Sequence, residues 1–275
     1  MHSLKLHTIH GHLRDRRIRI VLAGVGGNGS QVLNALPRLH LALRALGHPY
    51  GLHCTAYDAD DVSEANVGRN IWSPSDVGQN KALLAVTRLN AYYGTDFSAV
   101  PEGYGMANAG RDCDILIGCV DTRAARAEFA RMIEEGEGPK SYYIDLGNEE
   151  DLGQVVLGEV PGRYCGSVGP RVPMVHELLP EVADTSRPEI NRHSCSLAVS
   201  LASQGLFIND FVARIALELL RQLLMRGQIA HHGALVNLKT LSVSAIPVDP
   251  GVWTRMGYRA GHEQPGEFAA LRRAA

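Results

Sequence analysis

Four glycines in six residues, Gly24-Val25-Gly26-Gly27-Asn28-Gly29, separate a continuous apolar run at residues 18–23 from a stretch at 31–46 in which apolar residues return at helical spacing. The run before the glycines is short and rich in β-branched residues, which predicts a buried strand. A strand that turns at once into a helix through glycines presents backbone amides and a partial positive charge at the helix N-terminus, and the missing side chains let phosphate approach the backbone. The same pattern also serves as a plain strand–helix turn. A second feature favours nucleotide: residues 52–57 read as another strand, and Asp58 at its end can accept hydrogen bonds from ribose hydroxyls. Asp58 stands 29 positions after Gly29. That exceeds the roughly 20 usual in dinucleotide folds, the extra residues falling around 39–51. A dehydrogenase remains compatible with the loop, but nothing downstream supplies a hydride-transfer site.

Helical spacing at 81–93, an apolar run at 115–120 and an Ala- and Arg-rich helical stretch at 122–135 continue the alternation of strand and helix. The predicted fold is therefore α/β, a doubly wound, Rossmann-like, mostly parallel sheet. Beyond about residue 140 the texture changes to a mixed, elaborated C-terminal half. Residues 142–146 and 154–160 read as strands, 161–193 as a long loop with five prolines, 206–226 as a strong helix and 234–248 as mainly strand. We read 1–275 as one domain, with a nucleotide-binding half at 18–160, a crossover loop at 161–204 and a completing helix and strands at 205–275. No apolar run reaches the 18–20 residues or so that a membrane span requires. A net charge of −2 gives no general electrostatic hold on nucleic acid. The five cysteines form no Cys-x-x-Cys pair, which predicts neither a disulfide framework nor a structural zinc site and fits a reducing cytoplasm.

The residues after Asp58 carry the most information. Asp58-Ala-Asp60-Asp-Val-Ser-Glu-Ala-Asn66-Val-Gly-Arg69-Asn70 is followed by Asp76-Val-Gly-Gln-Asn-Lys81 and later by Cys119-Val-Asp121-Thr122. With the glycine loop, this constellation resembles the ThiF/MoeB/HesA family, the adenylation fold of ubiquitin-activating enzymes, over residues 18–160 and more loosely beyond. The wording Glu64-Ala-Asn-Val-Gly-Arg69, Ser194-Cys-Ser and Leu206-Phe-Ile-Asn209 is most similar to the ThiF-like proteins of PRTRC systems. Those mobile-element gene clusters also encode a ubiquitin-like protein, a conjugating-enzyme-like protein and a JAB-type peptidase.

The resemblance implies ATP and Mg²⁺ as cofactors, a ubiquitin-like protein ending in glycine as partner, a conjugating-enzyme-like protein as a further one, and a homodimer. It assigns the nucleotide to Gly24, Gly26, Gly27, Gly29, Asp58, Asp60, Asn66, Arg69, Lys81, Asp121 and Thr122. Chemistry supports the roles. Lys81 is a mobile cation suited to phosphate oxygens. Arg69 is a planar fork for the leaving phosphates, reaching the ATP of the other subunit in the family. Asp121 is the metal carboxylate, because Mg²⁺ takes carboxylate and phosphate oxygens together. Each also has a plain reading: a solvated lysine, a surface ion pair, and a helix cap at Asp121–Thr122. Asn70 replaces the Gln of many relatives, amide for amide.

Cys195, beside Arg192 and His193, is placed like the cysteine of the crossover segment in ubiquitin-activating enzymes and is the candidate for a thioester, with Cys165 as runner-up. Cys54, Cys113 and Cys119 lie in or beside predicted strands and are expected in the core. The pair His231-His232 is expected to cap the long helix rather than bind metal. Phe207, Phe211, Ile215, Leu219, Leu220 and Leu223 form the expected apolar stripe of that helix, for core or dimer contact. Three functions remain open: adenylation of a ubiquitin-like protein, adenylation of another peptide or an RNA-attached carboxylate, and a catalytically silent nucleotide-binding partner. An intact Arg69, Lys81 and Asp121 set favours the enzymes, and the near-neutral charge weighs against RNA.

Overall fold

A computed structural model describes residues 5–67, 71–108, 112–162, 169–188 and 205–259. In chain order the elements are β1 (His7–Thr8), α1 (His12–Asp15), β2 (Ile18–Ala23), α2 (Gly27–Ala45), β3 (Leu52–Tyr57), α3 (Lys81–Tyr93), β4 (Ser98–Val100), β5 (Ile115–Gly118) and α4 (Arg123–Glu134). They continue with β6 (Tyr142–Asn148), β7 (Leu152–Glu159), α5 (Val175–Leu178), α6 (Ile208–Arg221), β8 (Gln228–Ile229), β9 (His231–Asn237), β10 (Ser242–Pro247) and α7 (Pro250–Arg255).

Eight strands form one sheet in the order β10-β9-β7-β6-β5-β2-β3-β4. From β4 to β6 all neighbours are parallel, with Ile20 opposite both Cys54 of β3 and Ile115 of β5. The chain winds outward from β2 through β3 to β4, then returns to the other side of β2 as β5. The strand order reverses there, and in such sheets the carboxyl ends of the two diverging strands open a crevice. Ile18, Leu22, Cys54, Ile115 and Leu116 are fully buried, which accounts for the unbroken apolar runs of these strands. β7, β9 and β10 extend the sheet in antiparallel fashion.

The expected α/β, Rossmann-like sheet with a mixed C-terminal half is thus the fold, with local corrections. The helix expected from residue 31 starts at Gly27, inside the glycine run, because the loop itself makes the first turn. The added length near 39–51 is largely more α2. The segment at 161–193, expected as a long proline-bearing loop, contains α5 and a 3₁₀ turn at Pro180–Ala183 in its described part, and Val172, Met174, Val175 and Leu178 are buried. Prolines break its periodicity without preventing it from packing. Ile208, Val212, Ala213, Ala216, Leu219, Leu220 and Leu223 of α6 and the turn after it face the core against α2, β6, β7 and β9, while Phe207 and Phe211 of the expected stripe are exposed.

His231 and His232 do not cap the long helix; they open strand β9. The His232 ring is fully buried, packs edge-on to Trp253, and donates from Nδ1 to the Leu157 carbonyl at 2.9 Å, while Nε2 has no partner among the described residues. A second proton would add an N–H with no acceptor in an apolar setting, and burial lowers the pKa of His232 to about 4. The folded-state value lies below the unfolded value near 6.5, so the stability gained from keeping this ring neutral is whole above pH 6.5 and lost as pH falls towards 4. The expected loss is about 3 kcal/mol. Burial lowers His7 and His12 in the same direction. Urea unfolding at pH 7.0 and 4.5 checks this: His232→Phe should lose less stability between the two conditions than the parent.

Candidate functional site

The crevice at the ends of β2 and β5 is built from three segments. The first is the glycine loop. Gly24 has φ +91°, and a Cβ there would stand 2.8 Å from the Cys119 carbonyl oxygen. At Gly29 a Cβ would meet the Gly24 carbonyl oxygen at 1.9 Å, so the first turn of α2 closes directly on the loop. Gly26 precedes α2 and has open space around its Cβ direction. Gly27 lies against the side chain of Asn209 in α6.

The second segment runs from Asp58 to Lys81. Asp58 is buried, and its two carboxylate oxygens accept from the backbone amides of Val25, at 2.5 Å, and Asp60, at 2.8 Å. Burial pushes its carboxyl pKa up, while the two amides and Lys81 pull it back. Asp58 therefore fastens the glycine loop to the end of β3, besides standing where a ribose would be met. Asn80 was not among the expected site residues, yet it organises this segment. Its Nδ2 donates to the carbonyls of Asp58 and Asp60, and its Oδ1 accepts from Leu83 N at the start of α3. An Asn immediately before a helical run is an N-cap signature, and that signal was available in the sequence. Lys81, the first residue of α3, is consequently buried along its length, with Nζ donating to exposed Asp60 Oδ2 at 3.0 Å. Asn66 accepts through Oδ1 from the Ser63 amide and hydroxyl, closing a local turn. The buried Asp76 carboxylate holds the Arg88 guanidinium and the Ser73 amide, anchoring the stretch that leads to Lys81.

The third segment follows β5. Thr122 caps α4, accepting from Ala125 N at 3.2 Å, while Asp121 just before it is exposed and makes no hydrogen bond or ion pair among the described residues. An open carboxylate beside a glycine loop suits a hard cation shared with phosphate oxygens. Beneath it, the buried Arg126 guanidinium donates to Asp145 Oδ1 at 2.9 Å and to the Leu146 carbonyl. Tyr143 OH donates to the same Asp145 oxygen. Helical period alone placed Arg126 in a polar helix and gave no sign that it would be buried.

Of the expected site residues, the glycines, Asp58, Asp60, Lys81, Asp121 and Thr122 lie at the ends of β2, β3 and β5 or at the helix starts beside them, Asn66 closes a local turn with Ser63, and Arg69, with its neighbour Asn70, and Cys195, with Cys165, lie outside the described residues. Cys54 and Cys113 are core thiols, burial pushing Cys113 up to about 12 and Cys54 higher still. Cys119 packs against the core and is raised by burial as well. None of the three has the character of a nucleophile.

Comparison with solved structures finds the same fold. PaaA superposes with a TM-score of 0.56 and 17% identity, covering 86% of this chain and 65% of its own. MccB from E. coli with MccA-N7isoASN gives 0.56 and 15% identity over 84% of this chain and 64% of its own. MccB with ATP gives 0.55 and 14% over 93% and 68%. The chain spans about two thirds of the length of these structures. A search of curated protein sequences finds no match. The sequence matches the ThiF family over residues 4–249, nearly its whole length, and the chain belongs to the ThiF family.

Proposed function

We propose that this chain uses ATP to adenylate the C-terminal carboxylate of a ubiquitin-like protein. The observation that carries the reading is the switch-point crevice itself: the glycine loop clamped by Asp58, the Lys81 ammonium held at its edge, and the open carboxylate of Asp121. Membership of the ThiF family and the likeness to MccB, crystallised with ATP, support it.

In the reaction a carboxylate oxygen attacks the α-phosphorus of ATP, the bond to the β-phosphate bridging oxygen breaks, and pyrophosphate leaves with that electron pair. The α2 N-terminus and Lys81 offset the crowded negative charge. Asp121 would hold Mg²⁺, which when bound neutralises phosphate oxygens. Arg69 reaches the nucleotide of a second subunit in this proposal, making the dimer the active form. Cys195 then takes the acyl group from AMP as a thioester.

Pyrophosphate exchange into ATP tests the reading: it should require Mg²⁺ and a glycine-ended ubiquitin-like protein, and its absence with every carboxylate offered would refute adenylation. Cys195→Ala should retain exchange within about twofold while losing a thiol-labile adduct on a non-reducing gel, since adenylate formation needs no thiol. An adduct that survives the substitution moves the proposal to Cys165. A second reading, activation of a peptide in place of a folded modifier, is favoured by the likeness to MccB crystallised with MccA. Exchange driven by short peptides alone would select it.

A further inference from the structure

Three histidines in six residues, His7, His10 and His12, precede the first strand of the main sheet, and the nucleotide crevice uses none of them. Residues 5–17 cross the molecule as a strap. β1 pairs with β8, the Ile9 amide donates to the Gly227 carbonyl at 2.9 Å, and Ile9 and Leu13 are buried. Gly169 has φ +109°, and a Cβ there would stand 2.1 Å from the Leu6 carbonyl oxygen, so the chain at 169–171 lies directly against the strap. The strap sits over Tyr142, the first residue of β6, at the opposite end of the parallel strands from the crevice.

The His7 and His10 side chains are buried against Tyr142 and Glu159, which face each other across β6 and β7 and are buried too. His10 Nε2 lies 2.7 Å from Glu159 Oε1, and His7 Nδ1 lies 3.2 Å from the Pro170 carbonyl and 3.6 Å from Glu159 Oε2. Carbonyl and carboxylate oxygens only accept, so the protons stand on His7 Nδ1 and His10 Nε2. His7 Nε2 is then an acceptor. The Tyr142 hydroxyl donates to it at 3.0 Å while accepting from the His10 amide at 3.3 Å. A second proton on His7 would enter at Nε2, leaving the hydroxyl between two N–H donors with its own hydrogen unused.

The surrounding groups add little negative charge to offset such a proton. On the strap, His12 Nε2 meets Ser141 Oγ at 3.0 Å, and Arg16 pairs with Asp114. Lys140 pairs with Asp112, Arg171 pairs with Glu177 and donates to the Glu159 carbonyl, and β9 contributes the neutral His232 ring. Burial lowers the pKa of His7 against the opposing pull of Glu159, and burial and Arg16 lower that of His12.

We infer that residues 5–17 form an acid-released strap, closed over β6, β7 and residues 169–171 while the His7 ring is neutral and freed as a unit when the opened strap takes up protons. Detached, the rings meet water and titrate near their ordinary value of about 6.5. The opened form therefore binds more protons than the closed one. The strap is fully held above pH 6.5, and its hold is lost as pH falls below that value. Release takes the Leu6 carbonyl away from Gly169 and His7 away from Pro170. It loosens one end of the 161–193 segment without touching the glycine loop, and it needs no ATP.

The test follows backbone hydrogen exchange in the full chain at pH 7.0, 6.0 and 5.0, each rate corrected for the intrinsic effect of pH. The Ile9 and His10 amides should be less protected than those of Ile20 and Leu22 in β2 at every pH, because the strap opens while the sheet stays folded. Their protection should fall by roughly tenfold between pH 6.0 and 5.0 for each ring that the closed strap keeps neutral. In His7→Gln, whose carboxamide oxygen can still accept from Tyr142, that fall should be about tenfold smaller. The ¹⁵N signals of the His7 ring in the parent at pH 6.0 should show a neutral ring with its proton on Nδ1. Strap amides as protected as those of β2 would mean that no separate strap exists, and overturn the inference. So would a His7→Gln variant with the parental fall, or a His7 ring that is protonated or carries its proton on Nε2. Should His7→Gln fail to fold, the ring signals and the protection gap of the parent still decide.

Discussion

Asp121→Ala is expected to lose ATP–pyrophosphate exchange by at least about a thousandfold, an effect on the order of 4 kcal/mol in the barrier. The reason lies in what Asp121 does not do. It is exposed and, among the described residues, makes no hydrogen bond or ion pair; it acts on the Arg126 guanidinium only through space, while that guanidinium is bonded to Asp145 and Thr122 completes the cap of α4. Its removal therefore costs little folding energy, and its charge remains free for a cation bridging the phosphates. The variant should keep its parent's Tm within a few degrees and keep part of its affinity for ATP in the absence of Mg²⁺. Measuring exchange and Tm on one preparation separates loss of chemistry from loss of fold. Exchange at the parental rate would remove Asp121 from the site.

Arg126→Leu should instead damage the fold. The substitution leaves Asp145, which is fully buried and has no partner for Oδ2 among the described residues, with only the Tyr143 hydroxyl among them to satisfy its charge. Stranding one member of a buried ion pair costs about 3–5 kcal/mol, a large share of the roughly 5–15 kcal/mol that stabilises a domain. Urea unfolding should show the midpoint falling with an unchanged slope. Pairing Arg126→Met with Asp145→Asn should recover much of the loss, because no uncompensated charge remains. A single variant as stable as the parent would mean that water or relaxation reaches Asp145, and that the pair is not what supports the floor beneath Asp121.

The elements legible in the sequence are those whose cause is local. The span at 81–93 was readable because its apolar period, its preceding Asn80 and its terminating Gly94 all lie within a few residues, and Gly94 does adopt φ +66° at the helix end. β2 and β3 were readable because strands covered on both faces must be apolar throughout. The glycine loop and Asp58 were readable because each directly follows an apolar strand, whereas Lys81, at the start of α3, and Asp121, after β5, were singled out by the resemblance to the ThiF family.

The sequence by itself determined the strand–loop–helix unit, the alternation of strand and helix, and which side chains could handle phosphate. Only the tertiary structure decided that Asp58 clamps Val25, that Arg126 and Asp145 pair in the interior, that His232 lies within a strand, and that Asn209 meets Gly27. Periodicity reports that a helix such as α6 has an apolar side. It does not report which residues of that side are covered, since burial depends on neighbours far away in the chain. A buried polar side chain is harder still to foresee, because its partner, or the ligand that must stand in for one, is brought to it only by the fold.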